Sequence, residues 1–183
     1  MTDPTDKSYE QLLLLRCQAG DDAAFTEIVE RYSPRLRYYL RKMLGHSASV
    51  DDVLQEVWLG VLRGLPKLTD TMAFSAWIYR VARNRSAIAW RKHDQDCRVV
   101  AQFEERAESE DESEFDAEDA ARVHAALDEL AQDHREVLVL RFLEDMSYED
   151  MAQATGCHIG TIRSRLHYAK RALRYALSTK SQP

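Results

Sequence analysis

The chain has 183 residues, 45% of them hydrophobic, with 31 acidic and 25 basic side chains and a formal charge of −6. That length holds one or two domains and excludes a large multidomain enzyme, and the apolar content is that of a folded chain. No apolar run approaches the roughly 18 residues that cross a bilayer, so neither a signal peptide nor membrane insertion is expected. Cys17, Cys97 and Cys157 are odd in number and widely separated, which suits free thiols in a reducing cytoplasm. Six Gly, four Pro and long 3.6-residue periodicity predict an all-α protein.

In chain order, Phe25, Ile28, Val29, Tyr32, Leu36, Tyr39, Leu40 and Met43 recur at three- and four-residue steps, predicting a long packing helix that Pro34 can kink. On the next helix Leu54, Val57, Trp58, Val61, Leu62 and Leu65 form an apolar stripe, and Asp52, Gln55, Glu56, Leu59 and Arg63 gather opposite. A single exposed leucine is usually meaningless. Flanked by Asp52, Gln55 and Glu56, however, Leu59 can be the apolar centre of a docking surface for a basic partner.

A third helix, about residues 73–93, carries Phe74, Ile78, Val81 and Ile88 on one side and Arg80, Arg83, Asn84 and Arg91 on the other. Trp77 lies at the boundary of the two stripes, close to Asn84, where an aromatic plane beside guanidinium groups can stack on an unpaired base. Taken singly, Trp77 reads as core and the bases as a solvated face. His93 and Cys97 are four apart, but two ligands without a second pair do not make a metal site.

Ten carboxylates and one base fall between positions 104 and 119, a local charge of −9 that leaves about +3 for the other 167 residues. A run of like charge repels itself and buries little apolar surface, so residues 99–120 read as a flexible linker between domains at 1–98 and 121–183. As a solubilising tether it has an ordinary role; as a polyanion it can occupy a groove built for nucleic acid.

After the linker, Leu127, Leu130, Val137, Leu138, Leu140, Arg141 and Phe142 read as supporting core. Ser147 with Asp150 resembles a capping box opening a helix at Tyr148, Ala152 permits a close crossing, Gly156 can end that helix, and Ile162 returns to the core. This is helix-turn-helix spacing. The second helix, from 161 to about 177, carries Arg163, Arg165, Lys170, Arg171 and Arg174 and no acid, a charge suited to the major groove. The plain alternative is a basic face on a helical hairpin.

Together these segments resemble bacterial sigma-70-type initiation factors of the extracytoplasmic-function class, with regions 2 and 4 only. The carriers are Asp52-Val-Leu-Gln-Glu-Val-Trp, similar to region 2.2; Ala76-Trp-Ile-Tyr-Arg-Val-Ala-Arg-Asn, similar to regions 2.3 and 2.4; and Ser147-Tyr-Glu-Asp-Met-Ala through Gly160-Thr-Ile-Arg-Ser-Arg-Leu-His, similar to region 4.2. The resemblance implies two helical domains, a sigma region 2 bundle and a region 4 helix-turn-helix. It implies core RNA polymerase as partner, through its β′ and β subunits, with Asp52, Gln55, Glu56 and Leu59 on the β′ clamp helices.

It further implies that Trp77, Arg80, Arg83, Asn84 and the 68–74 loop capture the melted, single-stranded −10 element. Thr161, Arg163, Ser164, Arg165 and His167 would face the duplex −35 element, with Lys170 and Arg171 near phosphates. An anti-sigma factor is a common partner in the class. The chain departs from the pattern at Ile88, Ala131 and Tyr168, where Asp, Pro and Arg are usual.

No catalytic role or cofactor is expected: there is no phosphate-cradling Gly-rich loop, nucleophile elbow or paired-histidine zinc motif. A conventional repressor or activator binding duplex operator DNA would explain the C-terminal half, yet leave Trp77, Arg80, Arg83, Asn84 and the Asp52 face without a task.

Overall fold

In a computed structural model of the chain, the structure describes residues 4–45, 49–97 and 117–179. These form α1 (Pro4–Gln18), α2 (Asp22–Leu44), α3 (Val50–Gly64), two short 3-10 turns (Leu65–Lys67 and Thr71–Ala73), α4 (Phe74–Cys97), α5 (Ala117–Asp128), α6 (Gln132–Phe142), α7 (Tyr148–Thr155) and α8 (Ile159–Thr179). No strand occurs among the described residues.

The helix starts follow local chemistry. Asp21 Oδ1 accepts from the Ala23 and Ala24 amides at 3.0 and 3.1 Å, capping α2. That bond to Ala24, reinforced by Arg16, holds the Asp21 carboxyl below the usual carboxylate range. Pro34 lies inside α2, which is assigned as one continuous helix. Ser49 caps α3, whose first turn holds Asp51 and Asp52 against the positive end of the helix dipole.

In the first half, α1 to α4 enclose Leu13, Leu14, Ile28, Leu36, Leu40, Val57, Val61 and Ile78. Tyr32 meets the Phe74 ring edge-on at 5.3 Å. The 12–15 leucine run thus lies on a helix that supplies core residues, Leu13 and Leu14. Gly60 and Gly64 let α4 approach α3: a Cβ on Gly60 would stand 3.1 Å from Val81, and one on Gly64 2.7 Å from the Trp77 ring.

In the second half, Val137, Leu138, Leu140, Met151, Ala154, Ile162, Leu166 and Ala169 form the core. Ser147 Oγ accepts from the Asp150 amide at 3.0 Å and donates to its carboxylate at 2.7 Å. Gly156, at φ +70°, ends α7 in the left-handed conformation. Ala131, where the family usually has Pro, opens α6 without a side-chain cap.

Three apolar expectations fail. Leu62 is 55% exposed, since it lies only about 60° around α3 from Leu59. Ile88, 53% exposed, lies about 100° or more around α4 from Ala82, Ser86 and Ala89, which carry the buried face at that end of the helix. Phe142, 59% exposed at the end of α6, leaves the core and lies under the Lys170 ammonium. Helix α5 also begins at Ala117, inside the segment read as linker, so Glu118 and Asp119 are helical. The rest of the acidic run lies outside the described residues.

The two halves pack on one another, α4 against α7 and α2 against α6. The buried apolar residues of the two halves form one core, and polar bonds cross the contact beside it. Tyr39 Oη and Arg83 Nε donate to Glu136 Oε1 at 2.7 and 2.9 Å. Arg35 Nη2 lies 2.6 Å from Glu144 Oε2, and Lys42 Nζ donates to both Asp128 oxygens at 2.9 Å. Arg135 satisfies the end carbonyls of α5 at Leu127 and Asp128 and also donates to the Lys42 carbonyl at 2.6 Å.

Candidate nucleic-acid and partner interfaces

On α3, Asp52, Gln55, Glu56 and Leu59 are all exposed. Leu62 adjoins Leu59, so the apolar centre is larger than the sequence reading made it, with an acidic rim. Glu56 Oε2 lies 3.7 Å from Arg85 Nη1, a loose pair that leaves its carboxylate facing solvent.

On α4, Trp77, Arg80 and Asn84 fall within about 60° of azimuth. Arg80 and Asn84 are exposed and Trp77 is half-buried. One side of the indole rests on Gly64, and its ring lies 5.9 Å from Phe74. Arg83 does not join them. Its guanidinium turns to Glu136, which is 2% exposed. Burial lowers the pKa of Arg83, but the Glu136 charge outweighs it and holds the guanidinium above its ordinary value. Tyr39 on the same carboxylate is raised by burial first and then by Glu136.

The 68–74 loop rests on a residue the sequence reading passed over. Gln18 Nε2 donates to the Leu65 and Leu68 carbonyls at 3.0 and 2.7 Å, tying the base of the loop to α1. Asp70 accepts from the Met72 amide at 2.9 Å, and Met72 stands 69% exposed at the surface. Gln18 is the last residue of α1, three positions after the 12–15 leucine run, and nothing in that local pattern names its distant partners.

On α8, Arg163, Ser164, His167, Lys170 and Arg171 are exposed and Thr161 is half-buried. The Arg163 guanidinium lies 5.8 Å over the Tyr148 ring, which restricts its directions. Ser164 Oγ donates to the Thr161 carbonyl at 3.0 Å. Arg165 is turned back, with Nη2 2.7 Å from Asp133 Oδ2 and Nη1 3.5 Å from Cys157 Sγ. Tyr168 is exposed, its ring 5.4 Å from His167.

A groove of about 510 Å³, lined by Leu127, Leu138, Phe142, Leu173 and Leu177 with Tyr38, opens between α2, α5, α6 and α8. Among the described residues no three His, Cys, Asp or Glu side chains are placed to hold a metal, and no helix is long and apolar enough to cross a membrane.

Residues 28–95 match the family described as Sigma-70 region 2, and residues 120–173 the one described as Sigma-70, region 4. The RNA polymerase sigma-H factor of Pseudomonas aeruginosa is 31% identical over 93% of this chain and 95% of its own. The ECF RNA polymerase sigma-E factor of Escherichia coli is 31% identical over 98% of this chain and 97% of its own. Among solved structures, the sigma factor RpoE of Bartonella quintana, crystallised with the anti-sigma factor NepR, aligns at a TM-score of 0.73 and 23% identity over 84% of this chain and 96% of that one. CnrH in complex with the cytosolic domain of CnrY aligns at 0.69 and 24% over 94% of this chain and 99% of that one; these likenesses bear on the fold. With both regions matched in order and relatives aligned along nearly their whole length, the chain belongs to the sigma-70 family of RNA polymerase sigma factors, in its extracytoplasmic-function class.

Proposed function

We propose that this sigma factor divides its work among three helix faces. The α3 face of Asp52, Gln55, Glu56 and Leu59 docks on core polymerase. Trp77, Arg80, Asn84 and, once released, Arg83 take the single-stranded −10 element, while the exposed side of α8 reads the −35 duplex. The observation that carries this reading is the separation of the faces: an acid-rimmed apolar patch on α3, an aromatic–basic patch on α4 and a one-signed basic helix α8.

The chemistry of each face fits its task. Indole and guanidinium planes stack on splayed bases, and Asn84 offers both a donor and an acceptor to an exposed base edge. On α8, base-edge contacts specify and phosphate contacts position. Arg163, aimed by Tyr148, takes the first role, and Lys170 and Arg171 the second. Arg165, paired with Asp133, joins only if that pair yields. The protein works in the bacterial cytoplasm, and the solved complexes of its structural neighbours support an anti-sigma factor as a further partner.

The test is to combine the purified chain with core polymerase and a promoter library and to sequence the transcripts. Starts confined to templates sharing two spaced elements are expected. Absence of promoter-specific starts, with tight operator binding by the free chain, would return the assignment to a conventional repressor.

A further inference from the structure

We infer that Ile88 sets a base preference at the edge of the −10 element by packing against the 5-methyl group of a thymine; the inference rests on the assignment of the α4 face to that strand. Ile88 is 53% exposed. A lone exposed isoleucine is ordinary on a protein surface. This one stands inside the row of side chains assigned to nucleic acid.

Trp77, Arg80, Asn84, Ile88 and Arg91 fall within about 80° of azimuth, so they form one stripe along the outside of α4. From Trp77 to Arg91 the stripe rises about 21 Å, the length of about six base steps at about 3.4 Å each. No acid occurs between Phe74 and His93. The stripe therefore stays attractive to a polyanion beyond Asn84. Ile88 follows Asn84 by about 6 Å, or roughly two base steps.

Arg91 marks the far end of the stripe. It is exposed, as is Ala87, and its Nε donates to the Ala87 carbonyl at 3.1 Å, which holds the guanidinium on the same side as Ile88. Among the described residues no carboxylate pairs with Arg91, so its terminal nitrogens can take a phosphate. Residues three apart are neighbours on a helix surface. A strand held by Arg91 thus passes Ile88, with the phosphate contact positioning it and the base contact specifying it.

The chemistry of the contact selects one base. Ile88 offers carbon alone and can neither donate nor accept a hydrogen bond. The one apolar group that a base edge presents is the 5-methyl of thymine. Aspartate, usual at this position in the class, would set a carboxylate beside phosphates and could only accept from an amino group such as that of cytosine. Burying the methyl group against Ile88 should favour thymine over the same base without it by about fourfold.

The test uses the full-length chain with core polymerase on a promoter carrying thymines through its −10 element and flanks. Each thymine, on each strand in turn, is replaced by deoxyuridine, which lacks only the methyl group, and promoter affinity is read by fluorescence anisotropy. One position on the strand assigned to α4, about two steps from the base that Asn84→Ala affects, should lose about fourfold with uracil. In Ile88→Ala, thymine and uracil should bind alike there, at the wild-type uracil level, with the other positions responding as in wild type. Ile88→Val should keep most of the difference. Ile88→Asp should abolish it and weaken every promoter. In a randomised promoter library, thymine at that position should be enriched among wild-type starts and not among those of Ile88→Ala.

No methyl-dependent position, or a methyl dependence that survives Ile88→Ala unchanged, would overturn the inference. Weaker core association of Ile88→Ala in a pull-down, with its thymine preference intact, would overturn it too and give the residue to the polymerase contact. Helicity by circular dichroism should be unchanged in every variant, since the side chain lies outside the core. The α4 assignment is checked separately. Unaltered −10 selection in Asn84→Ala counts against that reading, whereas a response at Asn84 with none at Ile88 counts against the thymine contact alone.

Discussion

Gly64 and Trp77 show how much one absent methyl group decides. A Cβ at position 64 would stand 2.7 Å from Cζ2 of the indole, well inside contact distance, and a ring wedged against Phe74 cannot yield as a flexible chain end does. Gly64→Ala should therefore displace Trp77. Overpacking costs about 1–3 kcal/mol, offset in part by about 1 kcal/mol of helix propensity. A lower urea midpoint, shifted indole emission and weaker −10 strand binding are the expected readings. Gln18 acts similarly at a distance, since its amide is the donor for two loop carbonyls. Gln18→Ala should cost about 1–3 kcal/mol in urea unfolding. Gln18→Glu should cost more, because a carboxylate donates no hydrogen bond and would face two carbonyl oxygens.

Helices α3, α7 and α8 each join a local signal to a face. Ser147 caps α7 through the Asp150 amide, so Ser147→Ala should lower stability by about 1 kcal/mol in a thermal melt and weaken duplex binding. On α8, Arg163 and Lys170 carry charge of the same sign but are expected to fail differently. Arg163→Ala should relax preference at one −35 base pair by about 1–3 kcal/mol, whereas Lys170→Ala should weaken all sequences alike and reduce the salt slope by about 1. Binding-site selection at two salt concentrations separates the two. On α3, Glu56→Arg reverses the acidic rim without touching the core. Core polymerase association should weaken at least about tenfold in a pull-down titration, a loss of about 1.4 kcal/mol or more, with helicity unchanged.

At the scale of the whole molecule, charge is distributed rather than merely summed. The net −6 conceals ten carboxylates between positions 104 and 119, and replacing them by their amides takes the chain from −6 to +4. Free, neutralised protein should bind non-specific DNA more tightly at low salt, with a steeper salt dependence, since the long-range repulsion of the polyanion is gone. The sequence by itself determined the all-α class, the caps at Ser147 and Gly156, the two halves and the exposed patch about Leu59, because periodicity, capping and charge runs act within a turn or two of chain. It misjudged Leu62, Ile88 and Phe142, whose burial depends on which side of each helix, and how far along it, the neighbouring helices cover. Only the tertiary structure decided that Gln18 holds the 68–74 loop, that Gly64 seats Trp77 and that Arg83 faces Glu136. These partners lie 47 and 50, 13 and 53 residues apart, and no local pattern encodes which helix faces meet once separate elements pack.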